Sequence, residues 1–154
     1  MKIMFVCHGN ICCSPMAECI FKELVKKAGL DGKYLASSSA TSNEEIGYDG
    51  VGSPVYPPAR DQLLKHGLDA GDKRASQLKR EDYKKYDYFI GMDSANIRNM
   101  SLIFGSDPEN KIRKLNEKDV SDPWYTDDFD VAYKEIYRGC VELLENLKGK
   151  EIEK

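Results

Sequence analysis

Cys7-His8-Gly9-Asn10-Ile11-Cys12-Cys13-Ser14-Pro15 follows directly on the apolar run Ile3-Met4-Phe5-Val6. The apolar run reads as a strand and the glycine-containing stretch as a tight loop. Ser14 and Pro15 read as a helix opening, with a side-chain oxygen at N-cap and proline at the first helical position. Gly9 and Asn10 suit such a loop because both tolerate positive φ. Backbone N–H groups in a strand–loop–helix turn form a nest for an anion, reinforced by the positive end of the helix dipole. A nest of this kind favours the thiolate form of a facing cysteine, which is the form that attacks. The stretch therefore points to Cys7 as a nucleophile and to a tetrahedral oxyanion, such as a phosphate ester, as its target.

Working outward, strands and helices alternate. The helix after the loop, 15–28, carries an apolar stripe at Ala17, Ile20, Phe21, Leu24 and Ala28, which is helical spacing. Lys26 and Lys27 fall in its last turn and Gly29 ends it. Residues 34–38 form a second short strand. A Gly-, Pro- and Ser-containing stretch over 40–58 is too long for a simple turn, which marks it as functional. Helix 58–66, strand 86–91 and helix 94–104 follow. Residues 111–115 alternate charged and apolar side chains as an edge strand does. A final helix, 129–147, places Tyr133, Tyr137, Cys140, Leu144 and Leu147 on one buried stripe. This alternation predicts an α/β fold in three layers, a four-stranded parallel sheet flanked by helices on both faces. Ligands in such folds bind beyond the carboxyl ends of the strands, where Cys7 falls.

Length and composition agree. At 154 residues the chain suits one domain, 1–154, with a proper core. A net charge of −3 gives no general attraction to nucleic acid or acidic membranes. Lys73, Arg74, Lys79, Arg80, Lys84 and Lys85 cluster, but Asp72, Glu81 and Asp82 lie among them, so a solvated mixed-charge face is expected. The first apolar run is too short for a signal peptide or a membrane span. Five cysteines, an odd number with three inside seven residues, suit a reducing, cytoplasmic setting better than a secreted disulfide framework.

The Cys7–Pro15 stretch resembles the signature loop of the low-molecular-weight protein tyrosine phosphatases, in which a cysteine is followed after five residues by arginine and serine. The likeness extends through Ser38-Ser39-Ala40-Thr41-Ser42-Asn43-Glu44-Glu45-Ile46-Gly47, His66-Gly67-Leu68, Gln77-Leu78, Gly91-Met92-Asp93 and Ser121-Asp122-Pro123-Trp124-Tyr125. It implies a metal- and cofactor-independent phosphatase that forms a phosphocysteine at Cys7 and acts on a phosphotyrosine-containing protein or a small aryl phosphate. His8, Gly9, Asn10, Ile11 and Cys12 would line the phosphate loop, and Ser14 would donate to the Cys7 thiolate, a role compatible with capping. Asp122, by itself a turn starter in Asp-Pro, would supply the general acid. Trp124 and Tyr125 would wall the substrate. Glu44 stands where relatives often place an aromatic. Cys12 would match a cysteine able to form a protective disulfide with the nucleophile, while Cys19 and Cys140 read as inert core or boundary residues.

One position departs from the pattern. Cys13 occupies the catalytic place of the arginine, which would grip phosphate with two parallel N–H···O bonds and stabilise the pentavalent transition state. Cysteine offers one weak donor and no charge. No other basic residue in the loop replaces it, and His8 is expected to face the rim. The resemblance thus implies a strongly impaired phosphatase, with a non-catalytic phosphotyrosine- or phosphate-binding relative as the alternative. A zinc site from Cys7, His8, Cys12 and Cys13 lacks the usual C-x-x-C pair. Arsenate reductase chemistry lacks its central cysteines, none lying between Cys19 and Cys140.

Overall fold

The computed structural model describes residues 1–152, with the side chains of Trp124 and of 150–152 outside the described set. Four strands, β1 (Lys2–Cys7), β2 (Leu35–Ala40), β3 (Tyr88–Gly91) and β4 (Ile112–Lys114), pair in the order β2-β1-β3-β4. Every pairing is parallel. Strand β1 explains the layering. Its alternate residues Ile3, Phe5 and Cys7 enter one core, while Met4 and Val6 enter the other. A period of two on a strand that is buried on both sides requires cover on both faces.

The larger core is closed by α1 (Cys13–Lys27), α2 (Pro57–Lys65) and α5 (Phe129–Ile152). Phe5 and Phe21 meet there with ring centroids 5.5 Å apart, and Ile20, Leu63, Ile136 and Leu147 are fully buried beside them. The smaller core lies under α3 (Ser94–Phe104), where Phe89 packs on Phe104 at 4.8 Å. Asp93 caps α3 by accepting the Asn96 amide at 2.8 Å. A four-residue helix, α4 (Pro123–Thr126), precedes α5.

Several expected boundaries shift. Helix α1 starts at Cys13 with Cys12 at N-cap, so Ser14 is not the cap. The chain is already helical there, and Pro15 is tolerated in the first turn because its missing N–H would have no intrahelical acceptor. Strand β2 runs on to Ala40 because it pairs with β1 through Cys7. Tyr137 leaves the buried stripe, at 45 % exposure, since α5 meets α1 with Ala132, Ile136 and Cys140 instead. Ala28 is exposed as the C-cap of α1. Lys73 is half-buried and donates to the Ser38 carbonyl at 2.9 Å, and burial pulls its pKa down. It is thus not part of a solvated face. Among the described residues no helix is long and apolar enough to cross a membrane.

Candidate active site

Strand order places the site. From β1 the chain moves to β2 on one side, then to β3 and β4 on the other. The crevice beyond β1 and β3 is therefore the switch point where parallel sheets bind ligands. Cys7 ends β1, and the turn after Gly91 ends β3.

The loop is built around the Cys7 sulfur. Asn10 N–H donates to Sγ at 3.2 Å, and Ser14 Oγ lies 2.9 Å from it. Asn10 adopts φ 59°, a left-handed conformation asparagine accepts, and this turns both its amide and its side chain inward. Its Nδ2 donates to Ser14 Oγ at 2.8 Å, which leaves the serine's own O–H for the cysteine sulfur. Its Oδ1 accepts from Ser76 N–H at 3.0 Å. Asn10 and Ser14 are 1 % and 0 % exposed. They form the loop's inner scaffold.

Cys7, His8, Gly9, Ile11, Cys12 and Cys13 line one open cavity of about 430 Å³. Glu44 from the long β2–α2 connection and Asp122 with Tyr125 from the segment before α5 complete its walls. Helix α1 begins at Cys13, so its first-turn amides and positive dipole end fall at this cavity. The connection is tied to the loop by Thr41 N–H on the Cys7 carbonyl at 3.0 Å and by Tyr56 N–H on the Ile11 carbonyl at 2.9 Å. His8 Nε2 and Glu44 Oε2 meet at 3.0 Å, both largely exposed. Asp122 directly precedes α4 and its carbonyl accepts from Tyr125 and Thr126 N–H at 3.1 Å. The turn-starting reading of Asp-Pro and a place in the cavity therefore coexist.

Of the expected site residues, only Trp124 has a side chain outside the described set. Sequence reading missed Glu45, Asp93 and Asn96, which also line the cavity. Asp93 comes from the turn after β3 and Asn96 from the first turn of α3, where its Oδ1 accepts from both Met92 and Asp93 N–H. The Gly91-Met92-Asp93 stretch was the available signal. With Glu44, Glu45, Asp93 and Asp122 around it, the cavity is rich in carboxylates.

All five cysteines are free thiols. Burial, with Cys7 next in importance, pushes the Cys12 thiol up to about 12. Burial likewise holds the Cys13 thiol well above the ordinary cysteine range. Both shifts favour the protonated thiol. Among the described residues no group of three His, Cys, Asp or Glu side chains is arranged to hold a metal ion.

A cysteine-centred loop at the switch point of an all-parallel sheet places the chain among the three-layer α/β proteins. The chain belongs to the low molecular weight phosphotyrosine protein phosphatases, a family of hydrolases whose model matches residues 2–153. It is 34 % identical over 155 residues to the low molecular weight protein-tyrosine-phosphatase YfkJ of Bacillus subtilis, covering 96 % of each chain. It is also 34 % identical over 158 residues to the low molecular weight phosphotyrosine protein phosphatase of Sus scrofa, again covering 96 % of each. The crystal structure of YfkJ superposes with a TM-score of 0.90 at 33 % identity, covering 97 % of this chain and 96 % of that one. The low molecular weight protein tyrosine phosphatase of Streptococcus pyogenes gives 0.86 at 35 % identity, covering 95 % and 92 %.

Proposed function

We propose that this chain hydrolyses aryl phosphate monoesters, phosphotyrosine above all, through a phosphocysteine at Cys7, at a rate strongly reduced by Cys13. The observation that supports this best is the sulfur of Cys7 receiving the Asn10 amide and facing the Ser14 hydroxyl, an arrangement that holds a thiolate ready at the mouth of an anion nest. The thiolate attacks phosphorus, the P–O bond to the aryl group breaks, and Asp122 gives its proton to the departing oxygen. Water then attacks the phosphocysteine. Asp122, now a carboxylate, takes the water's proton, and inorganic phosphate leaves as the thiolate is restored.

His8, Gly9, Ile11 and Cys12 border the phosphate, while Glu44, Trp124 and Tyr125 border the aryl ring and its flanks. Cys13 stands where the family's arginine would clamp two phosphate oxygens. Losing one oxyanion donor costs roughly 10²–10³ in rate, and a bidentate cation at least as much. The carboxylates around the cavity add to the deficit, because a phosphate dianion meets them with no fixed cation among the cavity-lining residues.

Turnover of p-nitrophenyl phosphate under reducing conditions tests this, with Cys13→Arg and Cys7→Ser alongside. Recovery by about two orders of magnitude or more in Cys13→Arg, with Cys7→Ser inactive, is the expected result. A Cys13→Arg chain that stays inactive refutes the mechanism and favours the non-catalytic phosphate binder.

A further inference from the structure

Asp122 belongs to a segment with little regular structure, and a proton donor has to be held within hydrogen-bond reach of the oxygen it protonates. The structure shows what holds it. Ser121, the residue before Asp122, gives both its donors to one side chain. Its N–H lies 2.8 Å from Glu135 Oε2 and its hydroxyl 3.0 Å from Glu135 Oε1. Glu135 is half-buried on the second turn of α5. Its carbonyl also accepts from Asn116 Nδ2 at 2.9 Å, so one helical residue fastens both ends of the 116–121 segment.

One helical turn on, the same face of α5 carries Gly139. A Cβ there would meet Asn116 Oδ1 at 2.5 Å and Leu115 Cγ at 2.6 Å. Positions 135 and 139 are i and i+4, neighbours on one helical face. That face is shaped to receive this segment, with a carboxylate to bind it and a missing side chain to let it approach. On the sheet side, Val120 N–H donates to the Met92 carbonyl at 3.0 Å and Leu115 N–H to the Gly91 carbonyl at 2.9 Å. The segment is thereby clamped between β3 and α5, and the residue that follows it is Asp122.

We infer that Glu135 is a positioning residue for the proton donor: through Ser121 it fixes where Asp122 stands at the cavity. This rests on reading Asp122 as the general acid. A carboxylate receiving hydrogen bonds from both the backbone N–H and the hydroxyl of one serine fixes both the backbone direction and the side-chain rotamer of that serine. A purely structural contact would lower stability without favouring one substrate over another. A contact that aims an acid costs most where the leaving group most needs a proton.

The experiment uses the Cys13→Arg chain and compares Asp122→Asn, Glu135→Ala and Glu135→Gln. It reads kcat/KM for phenyl phosphate, a poor leaving group, against p-nitrophenyl phosphate, a good one. Glu135→Ala is expected to lose about tenfold more on phenyl phosphate than on p-nitrophenyl phosphate, part of the roughly 10²–10⁴ a positioned acid supplies. Glu135→Gln, which keeps an acceptor oxygen for Ser121, recovers most of that loss. Asp122→Asn shows the same selectivity in stronger form.

Amide hydrogen exchange at Ser121, whose N–H donates to Glu135 Oε2, adds a readout that needs no turnover and works with Cys13 in place. Exchange there is expected to speed up in Glu135→Ala and to stay near the parent level in Glu135→Gln, with far-UV circular dichroism unchanged. Equal losses on both substrates in Glu135→Ala, or unchanged exchange, overturn the proposal while leaving Asp122 as the acid. Loss of selectivity in Asp122→Asn itself overturns the acid assignment, and the proposal with it.

Discussion

The hydroxyl of Ser14 sits between two partners, 2.9 Å from the Cys7 sulfur and 2.8 Å from the Asn10 side-chain nitrogen. One residue on the first turn of α1 thus links the nucleophile to the scaffold of its loop, and the scaffold continues through Asn10 to Ser76. Ser14→Ala breaks both links at once. It leaves a buried amide donor unpaired, which costs about 1–3 kcal/mol and is read by urea denaturation. In the Cys13→Arg chain it also lowers p-nitrophenyl phosphate turnover by about 10–10²-fold, since one preorganised donor to the sulfur is gone. An unchanged rate would show that the serine only shapes the loop.

Anion binding separates the effect of Cys13 from that of the nucleophile. Millimolar phosphate or vanadate should barely raise the Tm of the chain with Cys13. In Cys13→Arg the same anions should raise it clearly, because a ligand held a hundredfold above its Kd contributes about 2.7 kcal/mol. Thermal melts with and without anion measure this. An equal shift in both chains would mean that the backbone nest alone supplies the affinity.

The contact between His8 Nε2 and Glu44 Oε2 joins two walls of the cavity while exposed to water. Glu44→Gln should therefore change unfolding free energy by less than about 1 kcal/mol. Its effect on substrate should be larger. Removing one carboxylate from an acidic rim favours approach of a phosphate dianion, so kcat/KM for acidic phosphopeptides rises, most at low salt. The comparison is made in the Cys13→Arg chain at two ionic strengths.

Buried thiols set the alkaline limit of stability. Burial raises Cys12 from 9.0 to about 12 and Cys19 from 9.0 to about 11, and it raises Cys13 and Cys140 as well. A group that holds its proton more tightly when folded stabilises fully below its unfolded pKa. That stability drains away as pH rises through the folded value. Urea midpoints should thus stay flat from the thiols' side up to about pH 9 and fall steadily toward pH 12. Cys12→Ser and Cys140→Ser should each make the fall shallower. A midpoint independent of pH over that window would show the thiols to be better solvated than their burial implies.

Gly52 tolerates no side chain, although its backbone is not left-handed. A Cβ there would stand 1.8 Å from the Ala75 carbonyl oxygen and 2.9 Å from the Ala75 nitrogen. Those atoms are backbone and cannot swing aside, so Gly52→Ala forces the cavity-lining connection away from 74–76. A loss of about 1–3 kcal/mol or more is expected. Ser76, which supports Asn10, moves with it, so loop activity in Cys13→Arg falls too. Chemical denaturation and turnover of this variant report the two effects separately.

What could be read from residue order alone was whatever depends on neighbours. The continuous apolar run Ile3–Val6 marks a strand, Gly9 and Asn10 mark a tight loop, and the 94–104 stretch marks a helix whose bounds matched. Local chemistry makes Ser14-Pro15 look like a cap, which sets the start of α1 two residues late. In the fold that hydroxyl is taken by Cys7 and Asn10, so the helix opens at Cys13 instead. Helical spacing puts Tyr137 on the core stripe, but spacing tells which residues share a face and not how wide the covered stripe is, and Tyr137 is exposed.

The sequence by itself determined that Cys7 ends a strand and opens a tight loop, because strand, turn and helix-start signals lie side by side within fifteen residues, and the alternation of strands and helices beyond it determined the parallel α/β class. It also marked Cys13 as the position proposed to limit activity. Only the tertiary structure decided the order β2-β1-β3-β4, which puts Asp93 and Asn96 beside Cys7. It alone brought Ser76 to Asn10 across 66 residues and Glu135 to Ser121. Such pairings depend on where whole strands and helices come to lie. That is settled by burying two faces of one sheet at once, and no local run of residues carries it.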